Sequence, residues 1–288
     1  MLDLLMNPAI QSGAIPLIIA FVTVLVFNLM PVGTKQFAGL GVLIGFIAAY
    51  YSTFGIPPLP PKASGQKIAY IAVMAGLFGV FFNYKHVSVK ALSLTGFIIS
   101  ALSISWIGWR KIAAPLSLDH LGIFILLAGS TLAIAIFCGK TNNSHKDNAD
   151  SAVVLIVISI AVAVNAIMGA SASTGQNAGA LAAALGGAML LNWPKRRFGL
   201  DITALMVPLI TISALLTQML LFTKAITWPL LFLIPALFSP ALADFLVLPS
   251  QRRKDLIRPV AVGVLAAFAG TISIFLTWFV TPPTGGGY

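Results

Sequence analysis

The chain predicts an all-α fold: a polytopic transmembrane helix bundle of about ten helices, forming one membrane domain over residues 1–288. Three observations carry that prediction. The mean hydropathy is +1.00, and 8% of the residues are charged, where soluble globular chains carry about 25%. Apolar runs of about 20 residues recur from end to end, each long enough for a hydrocarbon layer about 30 Å thick. Between them no polar segment is long enough to fold as a soluble domain. Such a chain satisfies its peptide groups only by threading lipid repeatedly as helices.

Met1–Asn7 carries Asp3 and lacks the basic start of a cleaved signal peptide. A first crossing is expected over about Ile10–Met30 and a second over about Phe37–Phe54. In the second, Gly41 and Gly45 form a small-xxx-small pair that lets helix backbones approach. Ile56-Pro-Pro-Leu-Pro-Pro61 follows, and four prolines in five positions make it a stiff, polyproline-like strut at the membrane surface. The third crossing, about Ile68–Phe82, repeats the close-packing spacing at Ala72/Gly76 and Ala75/Gly79. The fourth, about Ala91–Ile107, ends in Trp106-Ile-Gly-Trp109-Arg110-Lys111, an interfacial signature. The fifth is expected over about Leu118–Cys138, and a polar loop, 139–150, then divides the chain near its midpoint.

Crossings six and seven form a hairpin within Ser151–Trp193, a stretch with no charged residue. The second of the pair is almost entirely Ala, Gly and Leu, with a packing face at Gly179, Ala183 and Gly187. A helix with so little side chain to offer lipid is expected at the centre of the bundle. The eighth crossing is expected over about Ile202–Phe222 with Pro208 and Gln218 inside it. The ninth covers about Trp228–Leu248 with Pro235, Pro240 and Asp244, and the tenth about Pro259–Val280. The result is a five-plus-five division, helices 1–5 over about 10–138 and helices 6–10 over about 151–281, compatible with an inverted repeat; the two halves share no motif.

The net charge of +10 does not imply nucleic acid, because the basic residues sit in short segments between apolar runs, where topology signals belong. Alternate segments are unequal. Lys35, Lys85, Lys90, Lys140, Lys146, Lys195–Arg197, Arg252–Lys254 and Arg258 fall on one side, against Lys62, Lys67, Arg110, Lys111 and Lys224 on the other. The richer side is expected to be cytoplasmic. Both termini and the strut then face away from the cytoplasm, and the protein is expected in a bacterial inner membrane as a multi-pass protein. A single Cys138 excludes an internal disulfide framework and a cysteine-based metal site.

Asp244 is the acid placed most clearly within a crossing, so it is a candidate pathway residue. Pairing with Arg252, Arg253 or Lys254 is the plainer account. Asn165, Ser171, Ser173, Thr174, Gln176 and Asn177 surround the small-residue break of the hairpin, and Gln218 lies in crossing eight. They are read either as an unwound binding segment or as a short wet turn, the turn being preferred. His86, His120 and His145 make no i, i+4 pair, so neither haem nor zinc is expected. With no G-x-S-x-G, H-E-x-x-H or paired intramembrane carboxylates, no catalytic residue, metal or cofactor is assigned.

Phe54-Gly-Ile-Pro-Pro-Leu-Pro-Pro61 and Gln176-Asn-Ala-Gly-Ala-Leu-Ala-Ala-Ala-Leu-Gly-Gly187 resemble stretches of bacterial conserved membrane proteins of unknown function, a resemblance that implies no activity. In length, helix count and division the whole chain resembles the drug/metabolite transporter superfamily. That resemblance implies cytoplasmic termini, opposite to the charge count. Two functions are weighed. The first is a non-catalytic accessory or scaffold subunit of a larger membrane assembly, which fits the Gly/Ala packing faces and the strut. The alternative is a secondary transporter or permease for a small, weakly charged solute. Expected partners are the lipid bilayer and other membrane subunits or a second copy of the chain.

Overall fold

The computed structural model describes residues 7–30, 37–85, 88–115, 118–141, 148–193, 200–246 and 251–281. Among the described residues there is no strand, and ten helical elements follow one another. They are α1 (Ile10–Leu29), α2 (Leu40–Phe54), α3 (Ser64–Lys85), α4 (Val89–Ile112), α5 (Leu118–Thr141), α6 (Asn148–Met168), α7 (Ala172–Leu190), α8 (Ile202–Phe222), α9 (Trp228–Leu246) and α10 (Gln251–Val280). Eight are long and apolar enough to cross a membrane. The other two are α2, which has 15 residues, and α7, whose first turns carry Ser173, Thr174, Gln176 and Asn177.

Helix ends depart from the expected ones where capping and proline chemistry act. Helix α4 continues to Ile112, carrying Arg110 and Lys111 in its last turn, where cations complement the helix dipole. The expected 139–150 loop is helical at both ends, through Thr141 and again from Asn148. Helix α10 begins at Gln251 and runs through Pro259. Helix α9 is a 3-10 helix over Trp228–Phe238 and becomes α-helical only at Ser239. Pro235, inside that stretch, lacks the N–H an α-helix would use there, whereas Pro229 sits in the first turn, where none is needed.

The hub of the bundle is α8. It packs against α2, α3, α4, α5, α6 and α7, and 83% of its span is buried, against 22% for α1 and 33% for α10. The expectation that the α6–α7 hairpin is innermost is therefore corrected. Helix α7 is enclosed by α1, α2, α6 and α8, but Gln176, Gly179, Ala183 and Gly186 form a half-open stripe along it. What fills the centre is bulk: Leu205, Ile210 and Leu215 of α8 are wholly buried. Two hydroxyls of α8 are handled locally: Ser213 donates to Leu209 O at 3.0 Å and Thr217 to Ser213 O at 2.7 Å.

The glycines of α2, α3 and α7 set helix separations. A Cβ on Gly187 would collide with Leu17 O of α1, and one on Gly45 would lie 2.6 Å from Pro16 O. One on Gly41 would meet Val24 at 2.5 Å, on Gly76 Leu43 at 2.5 Å, and on Gly79 Thr203 Cα at 2.6 Å. These are close helix approaches that any larger residue would open.

Candidate functional site

The break between α6 and α7 is a tight turn. Ser171 N–H donates to Ala166 O at 2.9 Å and Gly169 N–H to Asn165 O at 3.0 Å, while Ala170 takes the left-handed φ of 57°. Ser171 Oγ donates to Thr174 Oγ1 at 2.7 Å, and both residues are buried. Gln176 and Asn177 then lie inside α7 rather than in a loop, Gln176 half-buried and Asn177 only 3% exposed.

This turn packs beside the proline strut. Tyr50 and Phe54 end α2, residues 55–63 cross over the end of the bundle, and Ser64 starts α3. Gln66 Oε1 folds back to accept from Lys62 N–H (2.9 Å) and Ala63 N–H (3.1 Å), closing the helix start. Tyr50 Oη donates to Gly65 O at 3.1 Å, and Tyr70 Oη to Pro57 O at 2.9 Å, which pins the strut to α3. Between strut and α7 lies a cavity of about 250 Å³. Its walls are Tyr50, Phe54, Ile56, Pro57 and Pro58 on one side, Ala63, Gly65 and Gln66 on another, and Ser173 and Asn177 of α7 on the third. No charged side chain lines it among the described residues. Gln218 of α8, 8% exposed, sits behind this wall, its Nε2 3.6 Å from where a Cβ of Gly65 would stand.

Asn165 is not part of the cavity. Its Nδ2 donates to Ala161 O at 2.7 Å and lies 3.3 Å from Ser273 Oγ, and its Oδ1 accepts from Thr277 Oγ1, so it ties α6 to α10. Asp244 belongs to another site at the opposite end of the bundle. Among the described residues its partner is Arg258: its Oδ1 is 2.9 Å from Arg258 Nη2, and Arg258 Nε is 2.9 Å from Asp150 Oδ2. The side chains of Arg252, Arg253 and Lys254 lie outside those described. One guanidinium thus joins α6, α9 and α10. The Asp244 side chain is 57% exposed and that of Asp150 2%, so the deeply placed acid is Asp150.

A further acid, Asp201, is also buried. It N-caps α8, with Oδ1 accepting from Ala204 N–H at 2.9 Å, and its Oδ2 accepts from Gly39 N–H at 3.0 Å. Asn83 braces the same corner, accepting from Ile202 N–H (3.2 Å) and donating to Thr203 Oγ1 (3.1 Å). Burial raises the Asp201 carboxyl to about 6 against the opposing pull of the Ala204 and Gly39 backbone N–H groups. The site residues missed from the sequence are Tyr50, Gln66, Asp150, Asp201 and Arg258. An Asp directly before an apolar run is the N-cap signal that marks Asp201; nothing local pairs Arg258 with residues 14 and 108 positions away.

Of the histidines, His120 Nε2 lies 3.3 Å from Ile112 O, while His86 and His145 fall outside the described residues. Among the described residues no group of three metal-ligating side chains gathers. A second, larger crevice of about 320 Å³ runs between α5, α8 and α9. It is apolar, and its Ser130 and Ser213 hydroxyls donate to carbonyls of their own helices. Thr227 lines that crevice too; the cavity under the strut differs in being lined by Ser173 and the buried Asn177 carboxamide. Compared with known proteins, the chain matches no family model and no curated protein.

Proposed function

We propose that this integral membrane protein is a permease that binds a small, uncharged or weakly charged solute in the cavity beneath the strut. The observation that carries the reading is that cavity: about 250 Å³, lined by uncharged side chains of α2, α3, α7 and the strut. Binding sites of this type combine an apolar wall with a few placed polar groups. Tyr50, Phe54, Pro57 and Pro58 supply the wall, and Ser173 and Asn177 the polar groups. Helix pairings follow a five-plus-five plan only in part. The contacts α1–α2 and α6–α7 are equivalent under it, as are α4–α5 and α9–α10, and α3 meets its own counterpart α8. However, α6–α10, α1–α7, α4–α8 and α5–α8 have no comparable α1–α5, α6–α2, α9–α3 and α10–α3 contacts. The resemblance to the drug/metabolite transporter superfamily points the same way. No catalytic step is assigned, and the proposal keeps the protein in a bacterial inner membrane with both termini on the non-cytoplasmic side.

The accessory-subunit reading retains one observation of its own. A Cβ added to Gly179 or Gly186 would meet no atom within 4 Å, which leaves a shallow stripe on α7 where a partner helix can seat. Most other packing glycines are consumed inside the chain.

The test uses full-length protein in proteoliposomes and a panel of small solutes. Saturable flux is expected, and Ser173→Trp, which fills the cavity from an exposed position, should abolish it without lowering the melting temperature. Absence of flux for every solute, or flux indifferent to Ser173→Trp, overturns the proposal. Native mass measurement in gentle detergent separates the two readings: stoichiometric co-purifying chains, lost on Gly179→Leu, favour the subunit.

A further inference from the structure

We infer that the crevice between α5, α8 and α9 holds one acyl chain of a membrane phospholipid, entering from the leaflet at the strut end of the bundle. This site is separate from the cavity under the strut and does not rest on the permease reading. The slot exists because two helices adjacent in sequence part company. Residues 223–227 join α8 to α9, yet among the described residues the two do not pack on each other; α9 lies against α10 and α6 and only grazes α5. At its outer end α5 is held hard against α8, since a Cβ on Gly122 would stand 2.6 Å from Leu220 Cδ2. About two turns deeper, a Cβ on Gly129 would meet nothing within 4 Å. The helices have separated there, and the space of about 320 Å³ opens between them.

The slot has the shape of a chain. Its wall on α9 is straight, because a 3-10 helix turns once in three residues and stacks every third side chain in line. Trp228, Leu231, Ile234 and Leu237 form such a row. Along α5 the lining runs from Leu121 to Ala133, about 18 Å of helix axis. That is slightly more than one leaflet of a hydrocarbon layer about 30 Å thick. The same volume spread over that length is too narrow for a helix about 10–12 Å across.

The lining chemistry agrees. Leu121, Ile125, Trp228 and Leu231 are exposed at the lips, while Leu155, Leu209 and Leu237 are buried at the floor. Deeper than Thr227 and Trp228 the polar side chains are Ser130 and Ser213, which have given their protons to carbonyls of their own helices. A buried water needs about two to four polar partners, more than this lining supplies at depth. Thr227 and Trp228 put the polar groups at the mouth, at the depth of lipid esters, where indole rings belong. In lipid no hydrophobic force closes a gap between helices, so the lining keeps its van der Waals contacts only if a chain supplies them.

The test uses full-length protein purified in a mild detergent and incubated with dipalmitoyl phosphatidylcholine, its intact mass then measured under native conditions. One lipid per chain should stay bound, and dioctanoyl phosphatidylcholine, too short to fill the slot, should compete about tenfold more weakly. Gly129→Phe fills the slot from within and should reduce retention about tenfold. Ala128→Phe, which puts the same ring one position away at an exposed site, should leave retention unchanged. After delipidation the wild type should melt lower than with lipid restored, whereas Gly129→Phe should not respond to lipid. Should Gly129→Phe fail to fold, Gly129→Leu is read in the same way. Retention indifferent to the filled slot, or lost equally in Ala128→Phe, overturns the inference. So does a slot that keeps detergent only, or a dimer in place of bound lipid, which assigns the space to a second copy of the chain.

Discussion

At Arg258 two carboxylates meet one guanidinium, and the two are not equivalent. Asp150 is buried and Asp244 half in water, so removing Arg258 takes a cation from a buried carboxylate in one case and from a hydrated one in the other. Arg258→Gln should cost about 3 kcal/mol, the lower end for a broken buried pair because Arg258 is itself partly exposed. Asp244→Asn should cost under about 1 kcal/mol. Chemical or thermal denaturation in detergent reads both, and equal losses would contradict the assignment. If Asp244→Asn leaves both stability and flux unchanged, coupling through that residue is excluded. Asp201 sets a pH dependence whose sign follows from its raised pKa. The folded protein holds this proton more firmly than the unfolded chain, whose carboxyl titrates near 3.8. The contribution is complete below that value and is lost as pH rises through about 6. Melting temperature should fall between pH 5 and pH 7.5 by an amount that Asp201→Asn removes, since Asn keeps the cap without titrating.

Among the helices, glycines that look alike in sequence do different work. Gly187 faces the Leu17 carbonyl of α1 at a separation that admits no Cβ, whereas Gly179 and Gly186 of the same helix face open space. Gly187→Ala should cost roughly 1–3 kcal/mol through strain at the α1–α7 contact. Gly179→Ala and Gly186→Ala should be neutral or gain up to about 1 kcal/mol of helix propensity. Comparing the three melts in one buffer checks the packing of α1 on α7 directly. If all three behave alike, α7 is not seated as described. The proline-bearing α9 follows the same local logic. It is a 3-10 helix over Trp228–Phe238 with Pro235 inside it, which periodicity could not register.

Across the whole molecule, the alternate threading of the helices places residues 55–63, the turn at 169–171 and the 223–227 connection at one end. The Asp150–Arg258–Asp244 group and the Asp201 cap lie at the other. The end holding the cavity carries the fewer basic residues, so it is expected to face away from the cytoplasm. Leu59, 81% exposed on the strut, reports this. Leu59→Cys in the Cys138→Ala background should react with an impermeant maleimide added to intact cells, and reaction only after permeabilisation would reverse the orientation.

The helical, membrane-spanning character was legible from the chain itself, because lipid offers no partner for a peptide group and so enforces long apolar helices regardless of neighbours. Eight of the ten expected crossings are helices long and apolar enough to span a membrane, and the close-packing spacing holds at Gly41, Gly45, Gly76, Gly79 and Gly187 but not at Gly179. The amide and hydroxyl residues near 169–177 were also visible, as polarity where apolarity is the rule. Which of them share a space was not. Asn177 meets Tyr50 and Gln66 only because α7 packs beside α2 under the strut, while Asn165, twelve positions before it in sequence, points instead to Ser273 and Thr277 of α10. The position of α8 at the hub, the burial of Asp150 and Asp201, and the pairing of Arg258 were likewise decided by tertiary structure. Hydropathy measures each helix against lipid, whereas these features depend on what each helix face meets across a neighbour.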